Sequence, residues 1–148
     1  MKKVAISACL LGRECRYDAT CNYNKELLDL LNGYELIAFC PEDYAFSSPR
    51  PTMDLVFING STEAHSNKTG ENLSPAITEY AQKFFKTHPD IELYIGKDRS
   101  PSCGVCTAKI YDSEKNLLVE NGTGLMSQQA VDSGIECWDA EVFLGKIL

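Results

Sequence analysis

Cysteine is the residue type in this sequence with the greatest capacity for chemistry. Seven cysteines occur among 148 residues. An odd number fits a disulfide framework poorly, and a reducing compartment would keep the thiols free. The cysteines therefore favour metal, cluster or redox chemistry. They stand at positions 9, 15, 21, 40, 103, 106 and 137.

Three of these residues, Cys9, Cys40 and Cys103, each lie beside Arg, Pro or Gly near the end of a predicted strand. Their spacing resembles no local zinc-finger or ferredoxin signature, so only the fold can bring them together. Thiolates are soft ligands that suit iron–sulfur clusters, zinc or copper(I). The alternative is that each one is a small apolar residue that packs in the core. For the three together we favour the ligand hypothesis.

Cys103 and Cys106 also form a C-x-x-C pair, which raises a redox alternative. Thioredoxin-like pairs lie where a strand meets a helix, whereas this pair precedes a predicted hairpin, so we regard the redox pair as the weaker hypothesis. Cys15 and Cys21 lie in a long loop and are candidates for accessory thiols or spare ligands. We expect Cys137, in a late strand, to belong to the core.

A carboxylate follows the second of the three cysteines. Glu42 comes directly after Cys40 and Pro41, so we expect it to project into the same crevice, where it could move protons to substrate or water. Its alternative role is that of an ion-pair partner for an arginine. The candidate arginines are Arg13, Arg16 and Arg50.

Two hydroxyls precede the third cysteine. Ser100 and Ser102 flank Pro101, and their hydroxyls could bind cluster sulfides or a substrate oxygen. Both could equally be turn residues in a loop rich in Ser, Pro and Gly.

Apolar runs and helical periodicity alternate along the chain. This alternation predicts one α/β domain over residues 1–148, with a mostly parallel, three-layer, Rossmann-like sheet and a small β-hairpin insertion. The clearest helix has Ser74 as its predicted cap and Pro75 in its first turn, and it ends at His88. Predicted strands are 4–9, 35–40, 53–58, 91–96 and 135–138; the other helices are 24–32, 123–133 and 140–147, and the hairpin is 108–121.

Three predicted loops are long for a small domain, namely 10–23, 41–52 and 97–107. All three follow the carboxyl ends of predicted strands, the edge at which open α/β sheets bind ligands. We therefore expect the cysteines near these loops to meet at one site.

Charge is distributed unevenly. The formal net charge is −7, which opposes binding of duplex nucleic acid. All four arginines nevertheless lie within ten residues of one of the three cysteines, and this local basic island suits a small anion or an anionic cluster. No apolar run is long enough to cross a membrane, and the amino-terminal run fits a strand better than a signal peptide, so we expect a cytoplasmic protein.

Several motifs together resemble a bacterial family, the thiouracil desulfidases. The resemblance covers nearly the whole chain, and SACLLG with SPSCG in this order is fairly specific. The motifs are SACLLG and CRYD within 7–18, CPE at 40–42, PRP at 49–51, SPSCG at 100–104 and a GxGL…GI pattern over 122–135.

The resemblance implies a 4Fe-4S cluster bound by Cys9, Cys40 and Cys103, with the fourth iron free to take a substrate sulfur. It also implies that Glu42 and Ser100 or Ser102 handle the substrate. The implied reaction removes sulfur from a small thiolated, thiopyrimidine-like compound and releases sulfide without external electrons.

Departures from the family pattern keep other substrates open. DYAFSS stands where the family usually has a Gly-Gly-Leu stretch, and Ala19 stands where a glycine is common. Another thioamide is therefore an alternative substrate. The alternative functions are a cluster-free dithiol or persulfide carrier that uses Cys103 and Cys106, and a non-catalytic metal- or cluster-binding protein.

Overall fold

Four short strands form a fully parallel sheet in the computed structural model, which describes residues 2–14, 17–18, 23–47 and 50–147. The strands are β1 (Lys3–Ser7), β2 (Glu35–Phe39), β5 (Leu93–Gly96) and β8 (Glu136–Asp139). Their order in the sheet is β2-β1-β5-β8. The predictions for Cys15, Arg16 and Cys21 lie outside the described residues.

Helices cover both faces of this parallel sheet. On one face, Val4 and Ile6 of β1 pack in a core with Leu27 and Phe143, which belong to the first and last helices. On the other face, Ala5 packs with residues of the third and fourth helices. This is the predicted three-layer α/β arrangement. The helices are α1 (Lys25–Leu30), α2 (Pro41–Phe46), α3 (Ser74–Thr87), α4 (Leu125–Asp132) and α5 (Ala140–Ile147).

A second, mixed sheet contains the remaining strands. They are β3 (Met53–Ile58), β4 (Ser61–Ser66), β6 (Ala108–Tyr111) and β7 (Leu117–Gly122), in the order β4-β3-β6-β7. The predicted hairpin is confirmed as the antiparallel pair β6 and β7. The predicted strand 53–58 is also present, but it pairs with β4 and β6 instead of extending the parallel sheet.

Two helix starts illustrate how local signals work in this chain. Asn24 is the N-cap of α1, as predicted, and its side chain accepts a hydrogen bond from the Leu27 N–H at 3.0 Å. The predicted cap of α3 is wrong by one residue, because the N-cap is Leu73. The Ser74 hydroxyl instead accepts a hydrogen bond from the Ala64 N–H at 2.8 Å, which ties α3 to β4.

Helix α3 joins the cores of the two sheets. Ile77 packs with Leu55 and Ala108 of the mixed sheet, whereas Ala81 and Phe84 pack against the parallel sheet. The relative position of the two sheets therefore depends on this helix. Within the described part of the chain, no helix is long and apolar enough to span a membrane.

Replacing Ile77 by Ala should lower the free energy of unfolding by about 2–5 kcal/mol, because Ile77 is fully buried between α3 and the mixed sheet. Urea denaturation measures the change. Leu118→Ala is the control, since Leu118 is half exposed on β7, and it should shift stability by no more than about 0.5 kcal/mol. Equal losses in the two variants would show that α3 does not hold the sheets together.

Candidate functional site

The carboxyl ends of the parallel strands open into a cavity of about 430 Å³. β1 ends at Ser7, β2 at Phe39 and β5 at Gly96, and the chain leaves each strand directly into the wall of this cavity. Its size lies within the range of small-molecule sites. The lining residues include Cys9, Tyr17, Cys40, Glu42, Arg50, Lys97, Asp98, Arg99, Ser100 and Cys103.

The three predicted ligand cysteines all line the cavity. Cys9 and Cys103 are 8% and 6% exposed, and Cys40 is half buried. Burial raises the pKa of the Cys103 thiol well above its usual range, and negative charge on Cys40, Glu42 and Cys9 raises it further. The fold therefore brings three thiols from distant segments within electrostatic reach of one another.

Each thiol is held by a tight local structure. Cys9 lies in a short 3-10 helix, Ala8–Leu11, which ends at Gly12 with a left-handed backbone (φ 97°). Cys40 is the N-cap of α2, and its backbone N–H donates a hydrogen bond to the hydroxyl of Tyr80 at 3.2 Å. These positions are set by the backbone, not by flexible side chains.

The loop that carries Cys103 is built on the Ser100 hydroxyl. Its oxygen accepts hydrogen bonds from the backbone N–H groups of Ser102, at 3.2 Å, and Cys103, at 3.1 Å. The Gly104 N–H donates to the Ser100 carbonyl at 2.9 Å. At the start of α4, the Leu125 N–H donates to the Pro101 carbonyl at 3.1 Å, so the loop satisfies amide groups that the helix cannot pair internally.

Two glycines allow this loop to approach the rest of the protein. A Cβ atom on Gly96 would lie 1.8 Å from the carbonyl oxygen of Cys103. A Cβ atom on Gly124 would lie 2.6 Å from the carbonyl carbon of Ser102. No other residue fits at these positions without moving the backbone that carries Cys103.

Sequence interpretation missed a buried carboxylate that anchors the same loop. Asp139, at the end of β8, accepts hydrogen bonds from the N–H groups of Val105 (2.8 Å) and Cys106 (2.7 Å) and from the Thr107 hydroxyl (2.9 Å). The only signal in the sequence was an acidic residue at the carboxyl end of a predicted strand. A second missed carboxylate, Asp98, lines the cavity and accepts from the N–H of Glu141 at 2.9 Å.

Glu42 has both of the surroundings that the sequence left open, the cavity and an arginine partner. It lines the cavity, and its Oε1 lies 3.6 Å from the Nε atom of Arg50 in an ion pair that is mostly shielded from solvent. Its Oε2 lies 3.5 Å from the Ser100 hydroxyl, which is oriented to donate to it. The carboxylate is therefore held between a cation and the loop that carries Cys103.

Ser102 does not line the cavity with Glu42, Arg50 and Ser100. Its side chain is fully buried outside the cavity lining, and within the described part of the chain its hydroxyl has no hydrogen-bond partner. The prediction that Ser102 handles the substrate therefore finds no support in the geometry, whereas Ser100 lines the cavity. The backbone carbonyl of Ser102 instead accepts from the Met126 N–H at 2.9 Å.

The remaining described cysteines lie outside the cavity lining. Cys106 is exposed, and its position before β6 is not the strand-to-helix junction of a thioredoxin-like pair. Cys137 is half buried and packs at the edge of the core, close to its predicted place. Burial raises the pKa of the Cys137 thiol to about 12.

The basic island is present in part. Arg50 and Arg99 line the cavity together with Lys97, which the sequence interpretation did not select. Arg99 also forms an exposed ion pair with Glu141 at 2.9 Å. Arg13 is exposed and lies outside the cavity lining. Among the described residues, the positive charge at the cavity therefore comes from the loops after β2 and β5.

The placement of the thiols bears on the kind of metal centre. Among the residues that the structure describes, no three His, Cys, Asp or Glu side chains are grouped as ligands of a single metal ion. In a polynuclear cluster each thiolate binds a different iron atom, so its ligands line a shared cavity. Cys9, Cys40 and Cys103 line one cavity here.

Comparison with known proteins identifies the family of this chain. The family model for 2-thiouracil desulfurase matches residues 4–141, and the chain belongs to that family. The resemblance identified from the motifs is thus confirmed.

Two individual proteins are similar over most of their length. An uncharacterized protein of Bacillus subtilis (strain 168), YbbK, is 28% identical, and the match covers 86% of this chain and 90% of that protein. The solved structure of TudS, a 4Fe-4S-dependent thiouracil desulfidase, matches with a TM-score of 0.75 at 26% identity, over 95% of this chain and 92% of that one. The α/β fold is therefore the fold of TudS.

Replacing Gly96 by Ala should displace the loop that carries Cys103, because the new methyl group would overlap the Cys103 carbonyl. We expect a loss of about 1–3 kcal/mol in the free energy of unfolding, as for other overpacked sites. We also expect faster alkylation of Cys103, measured by peptide mass mapping.

Gly145→Ala is the matched control, since nothing lies within 4 Å of a Cβ atom there. It should leave both measurements unchanged or raise stability slightly, because Ala favours a helix. Unchanged alkylation of Cys103 in the Gly96 variant would contradict the close packing.

Proposed function

We propose that this protein is a 4Fe-4S-dependent desulfidase that removes sulfur from thiouracil or a closely similar thiolated pyrimidine. The observation that carries the proposal is the convergence of Cys9, Cys40 and Cys103 on one cavity that also contains Glu42 and Ser100. Membership of the 2-thiouracil desulfurase family and the likeness to TudS support it.

The donor set fits the proposed cofactor. Three thiols that line one cavity can supply three ligands of a four-iron cluster, and soft sulfur donors are the usual protein ligands of such clusters. Burial of Cys9 and Cys103 excludes water from two of these ligands. Arg50 and Lys97 on the same wall offset the negative charge of a thiolate-bound cluster.

The two alternative functions fit less well. A cluster-free dithiol carrier needs two thiols that can meet and react, but Cys103 is buried in the cavity and Cys106 is exposed outside its lining. A closed zinc site usually takes four Cys or His ligands, whereas three cysteines and no histidine line the cavity among the described residues.

The proposed reaction replaces a C=S group by C=O, so one water molecule is consumed and one sulfide is released, with no change in the number of electrons. An open iron position on the cluster would supply a Lewis acid for the substrate sulfur. Glu42 would accept a proton from the attacking water, because it is the carboxylate that lies in the cavity beside both Ser100 and Arg50. Glu42 would then pass this proton to the products, which restores its carboxylate for the next turnover.

The contacts of Glu42 explain how its position is maintained. The guanidinium of Arg50 keeps a positive charge beside the carboxylate, and the Ser100 hydroxyl donates toward its other oxygen. Since Ser100 also accepts from the Cys103 N–H, the base and the third ligand share one hydrogen-bonded unit. We assign Ser100 a direct place beside the substrate and Ser102 a structural place in the loop.

We further propose that the protein acts in the cytoplasm on a small molecule and not on duplex nucleic acid. Thiolate ligands of a cluster need reducing surroundings, and the net charge of −7 opposes a polyanionic partner. The family match spans strands of both sheets, which supports a single desulfidase domain.

The function is tested by incubating the anaerobically reconstituted protein with 2-thiouracil. We expect uracil and sulfide in equal amounts over many turnovers, without an added reductant, measured by chromatography and by a colorimetric sulfide assay. A protein that carries its cluster but converts no thiouracil would refute the proposed substrate. Turnover by the metal-free protein would refute the proposed cofactor.

In the same assay, Glu42→Gln should lower kcat by about 10²-fold or more, because glutamine cannot accept the proton from water. Iron content should stay at the wild-type level, since Glu42 is not a proposed ligand. Glu79→Gln is the matched control: Glu79 is an exposed residue of α3 that pairs with Lys83. Wild-type kcat in the Glu42 variant would remove Glu42 from the reaction.

A further inference from the structure

Lys97 is a cavity residue with a fixed backbone. It is the first residue after β5, and its N–H donates a hydrogen bond to the hydroxyl of Ser7 at 2.9 Å. Ser7 is 3% exposed at the end of β1, the strand that pairs with β5, so this bond joins the ends of two adjacent strands. The side chain of Lys97 therefore starts from a defined point at the edge of the sheet where the cavity opens.

The ammonium group of Lys97 has protons left to donate. Its Nζ atom donates to the carbonyl of Asp98 at 3.0 Å, and within the described part of the chain it makes no other hydrogen bond and no ion pair. An ammonium group carries three protons, so two stay available to an acceptor. Because Lys97 is half buried and lines the cavity, a bound ligand can supply that acceptor.

The two arginines of the cavity already have carboxylate partners. Arg50 pairs with Glu42 at 3.6 Å, and Arg99 pairs with Glu141 at 2.9 Å. The hydrogen bond from Arg99 lowers the pKa of the Glu141 carboxyl, and the charge of Lys97 adds a smaller effect. Among the described residues, Lys97 is therefore the cation of the cavity lining whose donors are not engaged by a carboxylate.

The proposed substrate carries an acceptor that the reaction does not consume. A thiouracil has one C=S group, which is replaced, and one ring C=O group, which is kept. The Ser100 hydroxyl is oriented to donate to Glu42, and Arg50 pairs with the same carboxylate, so neither is as free to bind this oxygen. An ammonium group is a compact positive charge and a strong donor to a carbonyl oxygen.

We propose that Lys97 binds the carbonyl oxygen that the substrate keeps, and that it thereby selects thiolated pyrimidines that carry such an oxygen. This inference rests on the proposed function. A ligand without the oxygen would displace water from the ammonium group and offer no acceptor in return. Since the oxygen takes no part in the reaction, the contact stabilises bound substrate and transition state alike, so its loss raises KM and not kcat.

The first test compares 2-thiouracil with pyrimidine-2-thione, the analogue that lacks the ring carbonyl, in reconstituted holoprotein. Lys97→Met keeps the length of the side chain and removes the charge. It should raise KM for 2-thiouracil about 10-fold or more, as expected for a lost hydrogen bond to a charged group, and leave KM for pyrimidine-2-thione unchanged. Lys109→Met is the matched control, since Lys109 is exposed on β6 and lies outside the cavity lining.

A second measurement does not depend on turnover. Binding of the two products, uracil and pyrimidin-2-one, is measured by calorimetry in the wild type and in both variants. Lys97→Met should weaken uracil binding about 10-fold or more and leave pyrimidin-2-one binding unchanged. Lys109→Met should bind both compounds like the wild type.

The comparison of paired ligands separates the failures. Equal losses for both members of a pair would overturn the inference, because Lys97 would then act only through the fold or the charge of the cluster. Wild-type KM and uracil affinity in Lys97→Met would also overturn it. A wild type that carries its cluster and binds uracil, but converts no thiouracil, would instead refute the proposed function, while the binding measurement would still test Lys97.

Discussion

The contact between Gly96 and the backbone of Cys103 is the constraint on which the site depends. Cys103 follows β5 by seven residues, yet its carbonyl returns to the end of that strand so closely that no side chain fits between them. Gly124 allows a similar approach on the other side, and Asp139 holds the following residues. This packing places the third thiol at the sheet edge where the first two strands end.

The parallel sheet supplies the rest of the arrangement. Adjacent strands β2, β1 and β5 end at the same edge of the sheet, so the residues that directly follow them line one cavity. Helix α3 then links this edge to the mixed sheet, since it carries both Ile77 in one core and Phe84 in the other. The same helix reaches the site through Tyr80. Fold stability and site geometry therefore share their main elements.

Much of the parallel sheet, and the meeting of the three cysteines at its edge, could be predicted from sequence because the decisive signals are local. Buried apolar runs mark strand ends, and the cysteines near those ends were expected to meet. The assignment of β3 to a second sheet could not be predicted, since an apolar run does not show which strand it pairs with. β4 was missed because its sequence, STEAHS, is polar, and α2 because it is only six residues long.

The contacts that hold the site were also beyond sequence interpretation. The roles of Gly96, Gly124 and Asp139 depend on atoms of residues that are 7 to 34 positions away. The sequence also could not separate Ser100 from Ser102. The two serines flank one proline and look equivalent in sequence, yet only Ser100 lines the cavity. Which of two such hydroxyls reaches the site depends on how the loop packs against α4.

The most direct test of the central claim is the iron and acid-labile sulfide content of the wild type, Cys40→Ser and Cys106→Ser after anaerobic reconstitution. The three-thiol cluster predicts about four iron atoms and four sulfides per chain in the wild type and in Cys106→Ser. It predicts loss of most of the iron in Cys40→Ser, with the fold retained by circular dichroism. Full iron content in Cys40→Ser, or a wild type that binds only zinc, would contradict it.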